Sequence, residues 1–197
     1  MRIRDLLALL LSLAALPLAA QSNDLGLWYS SARLKDTPGF AFNDATGYGI
    51  SYNHFWTRAL STELTAHWLR ADAGIEIGGV RAIDAGRMEM KPISADVQWH
   101  FARRAMLSPY AGAGVTFMRR DELSNADLDA AGIGAIEIER KITWNANAGV
   151  NIGISRTFAV GVDAKYIPYE PDANAAGTTE KLTFNPLLFS AGVKLRW

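Results

Sequence analysis

The sequence predicts an all-β protein: an eight-stranded antiparallel transmembrane up-and-down β-barrel, preceded by a cleaved signal peptide. Three observations lead to this prediction. Apolar residues alternate with polar or small residues in eight separate segments, and the connections between these segments are long and short in turn. The chain of 197 residues also lacks cysteine, and it contains no apolar run of roughly 18 residues that could form a membrane-spanning helix.

Residues 1–20 have the pattern of a secretory signal peptide. Arg2 and Arg4 precede an apolar run, and small residues follow that run. We predict cleavage after Ala20, which leaves residues 21–197 as the barrel domain. A membrane anchor helix is the alternative interpretation, but the apolar run is too short to cross a bilayer.

The charge balance predicts no nucleic-acid partner. Loss of the signal peptide removes two arginines and one aspartate from 20 basic and 20 acidic side chains, which leaves 18 and 19. Nucleic-acid-binding proteins instead present a basic surface. Because the exported domain has no disulfides, burial or closure of its hydrogen-bond ladder must hold it together.

The first four predicted strands each have one apolar face. Residues 25–34 form the first strand of the mature chain. In residues 47–56 the apolar face contains Tyr48, Ile50, Tyr52 and Trp56. In residues 60–69 it contains Leu60, Leu64, Ala66 and Trp68. Residues 91–101 alternate most clearly, with Ile93, Ala95, Val97, Trp99 and Phe101 on the apolar face.

The last four predicted strands follow the same rule. Residues 110–118 are small and glycine-rich. Residues 142–154 alternate with Ile142, Trp144, Ala146, Ala148, Val150, Ile152 and Ile154 on one face. Residues 158–166 place Val160, Val162, Ala164 and Tyr166 together. Residues 187–197 end the chain, and we expect them to close the sheet because an unpaired edge strand exposes its hydrogen-bonding groups.

The connections distinguish a membrane barrel from a soluble, lipocalin-like barrel. Every second connection is long, namely 35–46, 70–90, 119–140 and 167–180, and those between are short, namely 57–59, 102–109 and 155–157. Outer-membrane barrels have short periplasmic turns and long external loops. We therefore predict a bacterial outer-membrane location, with both termini in the periplasm and with outer-membrane lipid and lipopolysaccharide as surroundings.

Aromatic residues concentrate near the predicted strand ends, as expected for two interfacial girdles. The short-turn end has Trp56, Trp99, Phe101, Phe158 and Trp197. The opposite end has Trp68, Phe117, Trp144, Tyr166 and Phe184.

The polar strand faces predict a charged lumen. Its charged residues are Glu63, Asp96, Asp163, Lys165, Lys194 and Arg196, and His67 and His100 join them. An eight-stranded barrel is filled by its own side chains, and buried charges need partners. We expect Lys165 and Lys194 to neutralise Asp163 and Asp96, with Arg196 nearer the short turns. The interpretation is a charge network that plugs the barrel; a polar gate or ion path is the alternative.

No catalytic, metal or cofactor motif is present. The His-x-Ser pair of outer-membrane deacylases is missing, and no glycine-rich phosphate loop occurs. Three histidines without cysteine make a poor metal-ligand set, and Glu63 and His67 lie four residues apart on a strand rather than on a helix. We predict a protein that is not an enzyme and that uses no cofactor.

Several motifs resemble the OmpW family of outer-membrane proteins. The stretch D-V-Q-W-H-F at 96–101, followed by S-P-Y-A-G-A-G-V-T-F at 108–117, resembles the family's Q-W-Y-F strand end, turn and P-Y-x-G-A-G. The ending F-S-A-G-V-K-L-R-W resembles F-S-A-G-Y-R-F, Asn185-Pro186 matches the family's D-P, and R-T-F at 156–158 resembles its N-R-D-W turn. The likeness is sharpest over residues 93–117 and 142–197.

The resemblance implies passive transport of small hydrophobic molecules across the outer membrane. Where the family tends to have an aromatic pair in its seventh strand, this chain has Lys165-Tyr166. A structural or adhesive barrel similar to OmpX, acting through its outer loops, is the alternative. The last strand also resembles the signal read by the barrel-assembly machinery, through Phe189, Val193, Leu195 and Trp197.

Overall fold

The structure is a computed structural model that describes residues 22–34, 40–77, 80–103, 105–119, 121–123, 136–138, 140–175, 178–181 and 183–197. The predicted signal peptide, residues 1–20, lies outside the described residues. No helix in the described ranges is long and apolar enough to cross a membrane, a finding that does not bear on β-strands.

The described residues form fourteen strands. They are β1 (Asn23–Arg33), β2 (Phe40–Phe42), β3 (Ala45–Phe55), β4 (Leu60–Ile77), β5 (Val80–Met90), β6 (Pro92–His100), β7 (Leu107–Met118), β8 (Asp121–Leu123), β9 (Ile136–Ile138), β10 (Lys141–Gly153), β11 (Phe158–Tyr166), β12 (Asp172–Ala175), β13 (Thr178–Lys181) and β14 (Leu187–Arg196).

Eight of these strands form the wall of a closed antiparallel barrel. Their order is β4-β3-β1-β14-β11-β10-β7-β6, and β6 pairs with β4 from Leu60↔Trp99 to Ala66↔Ile93. The predicted closing strand β14 lies between β1 and β11, and Asn23 and Trp197 exchange two backbone hydrogen bonds beside it. Closure pairs the backbone groups that an open sheet edge would leave unpaired. The predicted fold is confirmed.

Burial alternates along the wall strands, with apolar side chains outside. In β6, Val97 is 53% exposed whereas the next residue, Gln98, is fully buried. Large exposed side chains on the outer surface include Tyr48, Ile50, Leu64, Val115, Ile142, Ile152, Val162 and Phe189. A water-soluble protein rarely exposes so continuous an apolar surface, so this distribution fits an apolar surrounding.

Most predicted girdle residues are exposed, but Phe184 is not. Trp56, Trp99 and Phe101 are more than half exposed at the short-turn end. Phe184 is completely buried, so its predicted place in the outer girdle is wrong. It lies before β14 and packs inward, with its ring centroid 5.1 Å from Phe42.

Leu195 departs from the predicted alternation of β14. It was expected to face outward, yet it is only 8% exposed. In register it lies between Leu25 of β1 and Phe158 of β11. Side chains directly opposite on neighbouring strands are close enough to cover one another.

The long connections, expected to be loops, contain strands. β4 continues beyond the barrel to Ile77. There it pairs with β5 on one side and with β2 on the other. Gly86, with φ of 87°, lies at a register shift of this hairpin, as in bulges that begin with a left-handed glycine. A second sheet, in the order β13-β12-β9-β8, forms from the third and fourth long connections.

The β4–β5 hairpin has the reverse polarity of the barrel wall. Met88 and Met90 are buried on the inner side, whereas Arg70 and Glu89 face out and form a hydrogen bond of 3.0 Å. Hydrogen bonds from Lys91 and Arg70 hold the pKa of Glu89 below its ordinary value. Outward charges are stable there because this part of the hairpin extends into water rather than lipid.

Candidate functional site

The lumen is filled by side chains that lie close against glycine positions of the wall. Trp28 projects inward from β1 and its Nε1 donates a hydrogen bond of 2.9 Å to Ser51 Oγ. A Cβ on Gly161 or Gly192 would come within 2.9 or 2.8 Å of indole carbons. Both positions therefore need glycine, because the large ring occupies the space of a side chain.

Lys165 and Asp96 form a buried ion pair across the lumen. Lys165 Nζ lies 2.6 Å from Asp96 Oδ2, and the two side chains are 2% and 0% exposed. They belong to β11 and β6, which β10 and β7 separate in the wall. Neither charge can lose its partner without leaving the other desolvated and uncompensated.

Lys194 of β14 forms the second buried centre. Its Nζ lies 3.6 Å from Glu63 Oε1, and it lies 5.0 and 5.4 Å from the ring centroids of Trp28 and Tyr110. Aromatic faces attract a cation, most strongly where water is excluded. Glu63 also accepts a hydrogen bond of 2.7 Å from Gln98 Nε2 at its other carboxylate oxygen, so the carboxylate beside the ammonium group is itself held in place.

Asp163 has partners other than the predicted lysine. Tyr110 Oη donates a hydrogen bond of 2.8 Å to Asp163 Oδ2, and Asn147 Nδ2 lies 3.4 Å from the same oxygen. The predicted pairing of Lys165 and Lys194 with Asp163 and Asp96 is therefore corrected. Alternation on a strand determines which face a residue occupies, whereas the partner depends on which long side chain reaches across the lumen.

Arg196 lies towards the short turns, where we expected it. Its Nε is 3.8 Å from Asp24 Oδ2, and its side chain is 14% exposed. His67 and His100 are buried in the lumen, and His100 Nε2 is 3.0 Å from Ser61 Oγ. All six predicted charged residues are on inward-facing positions, with Asp163 and Arg196 only partly buried.

Sequence reasoning missed three members of this network. Gln98 accepts a hydrogen bond of 2.9 Å from Asn53 Nδ2 and donates to Glu63, so it links two strands through the lumen. Tyr110 was missed because it is uncharged, and Asp24 because it precedes the predicted first strand, residues 25–34. Tyr110 could have been identified from the inward-facing positions of β7. Asp24 could have been identified by starting the first strand one residue earlier.

An outer apolar cluster closes the lumen at its long-loop end. Its members are Ala32, Leu34, Ala45, Leu69, Ala71, Ala73, Met88, Met90, Met118, Tyr169, Phe184 and Leu188, and Phe42 packs against it. The Tyr169 and Phe184 rings are stacked with centroids 5.7 Å apart. The lumen thus changes from polar to apolar along its axis, a feature the sequence prediction did not include.

Neither level of the lumen encloses room for a solute. A cavity of about 10 Å³ lies among Trp28, His67 and Lys165, and another of about 10 Å³ lies among Met118, Tyr169 and Phe184. Each has space for about one water molecule. Side chains of the described residues therefore occlude the barrel at both levels.

The wall contains a seam beside the outer apolar cluster. Backbone pairing of β10 with β11 begins at Ala146↔Tyr166, although β10 extends outward to Lys141. Along residues 167–171 the links to β10 include a side-chain bond from Thr143 to the Pro168 carbonyl and one from Lys141 Nζ to the Glu170 carbonyl, 2.7 Å. The backbone ladder between β10 and β11 does not continue outward of Ala146↔Tyr166. We call this region the β10 seam.

The described residues offer no assembled metal site. Among them, no three histidine, aspartate or glutamate side chains are grouped as a metal ion would require. The chemistry that the lumen supports is charge pairing and apolar contact.

A closed antiparallel barrel with an apolar outer surface and a charged, occluded interior is an integral outer-membrane β-barrel protein. The sequence matches the OmpW family over residues 12–197, and the chain belongs to this family. The protein is therefore located in the bacterial outer membrane.

Individual relatives agree with this assignment. The outer-membrane protein y4mB of Sinorhizobium fredii is 22% identical over 174 residues, which cover 85% of this chain and 73% of the relative. The crystal structure of OprG from Pseudomonas aeruginosa is similar with a TM-score of 0.70 and 11% identity, over 90% of this chain and 97% of OprG. Outer membrane protein W of E. coli gives a TM-score of 0.59 and 18% identity, over 92% and 100% of the two chains.

Proposed function

We propose that this barrel admits small hydrophobic molecules from outside and releases them sideways into the bilayer. The observation that carries the proposal is the polarity change inside the lumen, where an apolar cluster lies above a buried charge network. An apolar solute gains by entering the cluster but would have to desolvate charges to continue along the axis. The axial route is therefore unfavourable.

The β10 seam supplies the sideways route. The buried rings of Tyr169 and Phe184 lie behind it, and Trp144 and Tyr166 lie on its lipid side with ring centroids 5.9 Å apart. Two side-chain bonds separate more readily than a continuous backbone ladder, because fewer hydrogen bonds, each contributing about 1 kcal/mol net, have to break. A solute that displaces Phe184 would meet the weakest part of the wall.

The outer strands shape the entrance. These belong to the connections 35–46 and 70–90, whose described residues contribute Phe42, Met88 and Met90 to the outer apolar cluster that contains Phe184. Methionine adapts its shape easily, which suits a surface that receives different apolar molecules. This arrangement favours passive, broadly selective entry rather than recognition of one solute.

Flux measurements in proteoliposomes test the proposal. We expect the barrel to accelerate entry of an apolar fluorescent solute, but not of a polar solute of the same size, and to add no ion conductance to a planar bilayer. Steady conductance would replace the proposal with a polar channel. Identical rates with and without protein would favour a barrel that does not transport.

A structural or adhesive barrel is the second candidate function. The observation that favours it is the β4–β5 hairpin, which projects from the barrel with Arg70, Asp72, Arg87 and Glu89 on its outward side. Charged, hydrogen-bonded strands present a stable surface to a partner outside the cell. If deletion of the hairpin tip abolished binding to a surface while apolar flux persisted, both functions would be present.

Three further expectations belong to the same proposal. Residues 1–20 are removed on export, the protein performs no enzymatic reaction, and β14 is the strand that the barrel-assembly machinery recognises through Phe189, Val193, Leu195 and Trp197. Support for the last point comes from Phe189 and Val193, which are 50% and 55% exposed on the outer surface of β14.

A further inference from the structure

The short-turn end of the barrel has an open cavity that the transport proposal does not use. Its volume is about 930 Å³, and among the described residues its lining includes four arginines but no aspartate or glutamate. These are Arg58, Arg103, Arg156 and Arg196. Asp24 Oδ2 lies 3.8 Å from Arg196 Nε. We call this space the basic vestibule.

Two of the arginines occur in turns of the same construction. Thr57 Oγ1 accepts a hydrogen bond of 2.9 Å from the Leu60 amide, and Ser155 Oγ accepts one of 3.0 Å from the Phe158 amide. Arg58 and Arg156 each follow these hydroxyl residues. The short side-chain bonds fix the turn backbone, and they place both arginines at the mouth of the barrel.

The other two arginines are held from inside. The Arg103 guanidinium lies 3.3 Å from the ring centroid of Phe55, which keeps it flat against the floor of the vestibule. Arg196 is mostly buried, and its Nε has no hydrogen-bond partner among the described residues. A guanidinium with an unsatisfied donor at the edge of a cavity favours an incoming acceptor.

The rim of the basic vestibule is apolar and faces the membrane. Trp56, Met106 and Ile154 line the same cavity, and they are 64%, 73% and 68% exposed. Short turns of outer-membrane barrels lie on the periplasmic side, so this rim meets the inner leaflet. A basic centre beside an apolar rim complements a molecule with an anionic head and hydrocarbon chains.

We infer that the basic vestibule binds the phosphodiester headgroup of an anionic phospholipid from the inner leaflet. The guanidinium groups of Arg58 and Arg156 at the mouth, together with the unsatisfied Nε–H of Arg196, donate hydrogen bonds to phosphate oxygens, and the acyl chains lie outside the rim against Trp56 and Ile154. The inference is independent of transport, because it concerns the opposite end of the barrel.

Lipid retention measures this binding directly. The wild-type barrel is reconstituted in vesicles of four parts phosphatidylethanolamine to one part phosphatidylglycerol, extracted with mild detergent and weighed with its bound lipid by native mass spectrometry. We expect phosphatidylglycerol to be enriched among retained lipids. The R58Q/R156Q variant should lose this preference by about tenfold, since two charge-assisted contacts are removed. The control R119Q/R140Q, with exposed arginines at the opposite end, should keep it.

Several results would overturn the inference. The inference is overturned if the wild-type barrel does not retain phosphatidylglycerol preferentially. This outcome needs no variant, so the test remains valid even if R58Q/R156Q fails to fold. Equal loss in both double variants would indicate general basic attraction. If glycerol 3-phosphate bound the barrel in neutral vesicles as tightly as the lipid, the ligand would be a soluble anion. If the barrel bound isolated peptidoglycan sacculi but not lipid, and this binding required Arg58, the ligand would be a polymer that carries carboxylates.

Discussion

At the scale of single residues, the lumen depends on pairs of charges that are almost completely buried. Lys165 and Asp96 are the most deeply buried pair, and Lys194 lies between two rings beside Glu63. Such pairs cost desolvation energy to form but are far more costly to break. This asymmetry makes the effect of a single substitution larger than the effect of removing the pair.

Lys165→Met should lower the free energy of unfolding by about 3–5 kcal/mol, because Asp96 is left buried without a counter-charge. The double variant Lys165→Met with Asp96→Leu should recover most of the loss. Urea unfolding in lipid, followed by tryptophan fluorescence, measures both. Arg140→Met, an exposed control, should change stability by less than about 0.5 kcal/mol. An equal loss for the single and double variants would argue against the pair.

At the scale of elements, the two faces of each wall strand face different solvents. Val97 is 53% exposed to the outside, whereas Asn147 is 4% exposed and points into the lumen. The two positions are predicted to respond differently to substitution, and the difference tests the strand registers.

Val97→Arg should lower stability by roughly 2–4 kcal/mol, because it places a charge among acyl chains near the middle of the membrane. Asn147→Ser should have a small effect, since its contact with Asp163 is long at 3.4 Å. Refolding yields and urea midpoints in lipid vesicles give the comparison. Similar losses at both positions would show that the strand faces are assigned wrongly.

The closing strand β14 gives a prediction about assembly. Trp197→Asp should reduce the amount of heat-modifiable barrel in the outer membrane, because it introduces a charge next to the exposed apolar face of β14. Its ring lies 6.5 Å from that of Tyr52, and the substitution also removes this contact. Trp99→Asp, at an exposed aromatic position of β6 at the same end of the barrel, serves as a control that introduces the same charge and leaves β14 unchanged. Wild-type levels for the aspartate variant would count against the role of this strand.

The sequence predicted the wall strands but not the strands beyond the membrane. Residues 87–90 alternate as R-M-E-M, a clear strand pattern, yet their charges led us to expect a loop. In the wall the outward side chains are apolar, whereas above the membrane boundary the outward side chains are polar and the inward ones apolar. Alternation with a period of two residues was therefore the reliable signal for a strand. Whether the outward face is apolar or polar depends on whether it meets lipid or water.

At the scale of the whole molecule, the sequence predicted which residues face the lumen but not which of them contact one another. Inward charges such as Asp96 and Lys194 followed from strand phase alone, because phase determines the face. Their partners did not follow, since the reach of a side chain across a closed barrel depends on strand order and stagger. The outer apolar cluster was missed because Tyr169 and Phe184 lie outside any predicted strand.

The barrel combines an interior that side chains occlude with a backbone ladder that ends at the β10 seam. If transport uses this interruption, the rate should depend on the freedom of the β10 seam to open and should be insensitive to stapling elsewhere. Because the chain has no cysteine, engineered pairs can be cross-linked without background reaction.

The most direct measurement is apolar-solute uptake after stapling the seam. Thr143→Cys with Pro168→Cys places two thiols across it, and Val150→Cys with Val162→Cys places two across the paired part of the same strands. After reaction with a short bifunctional thiol reagent, we predict that uptake falls to the protein-free rate for the first pair and is unchanged for the second. Uptake that persists through the stapled seam would contradict lateral release at this site.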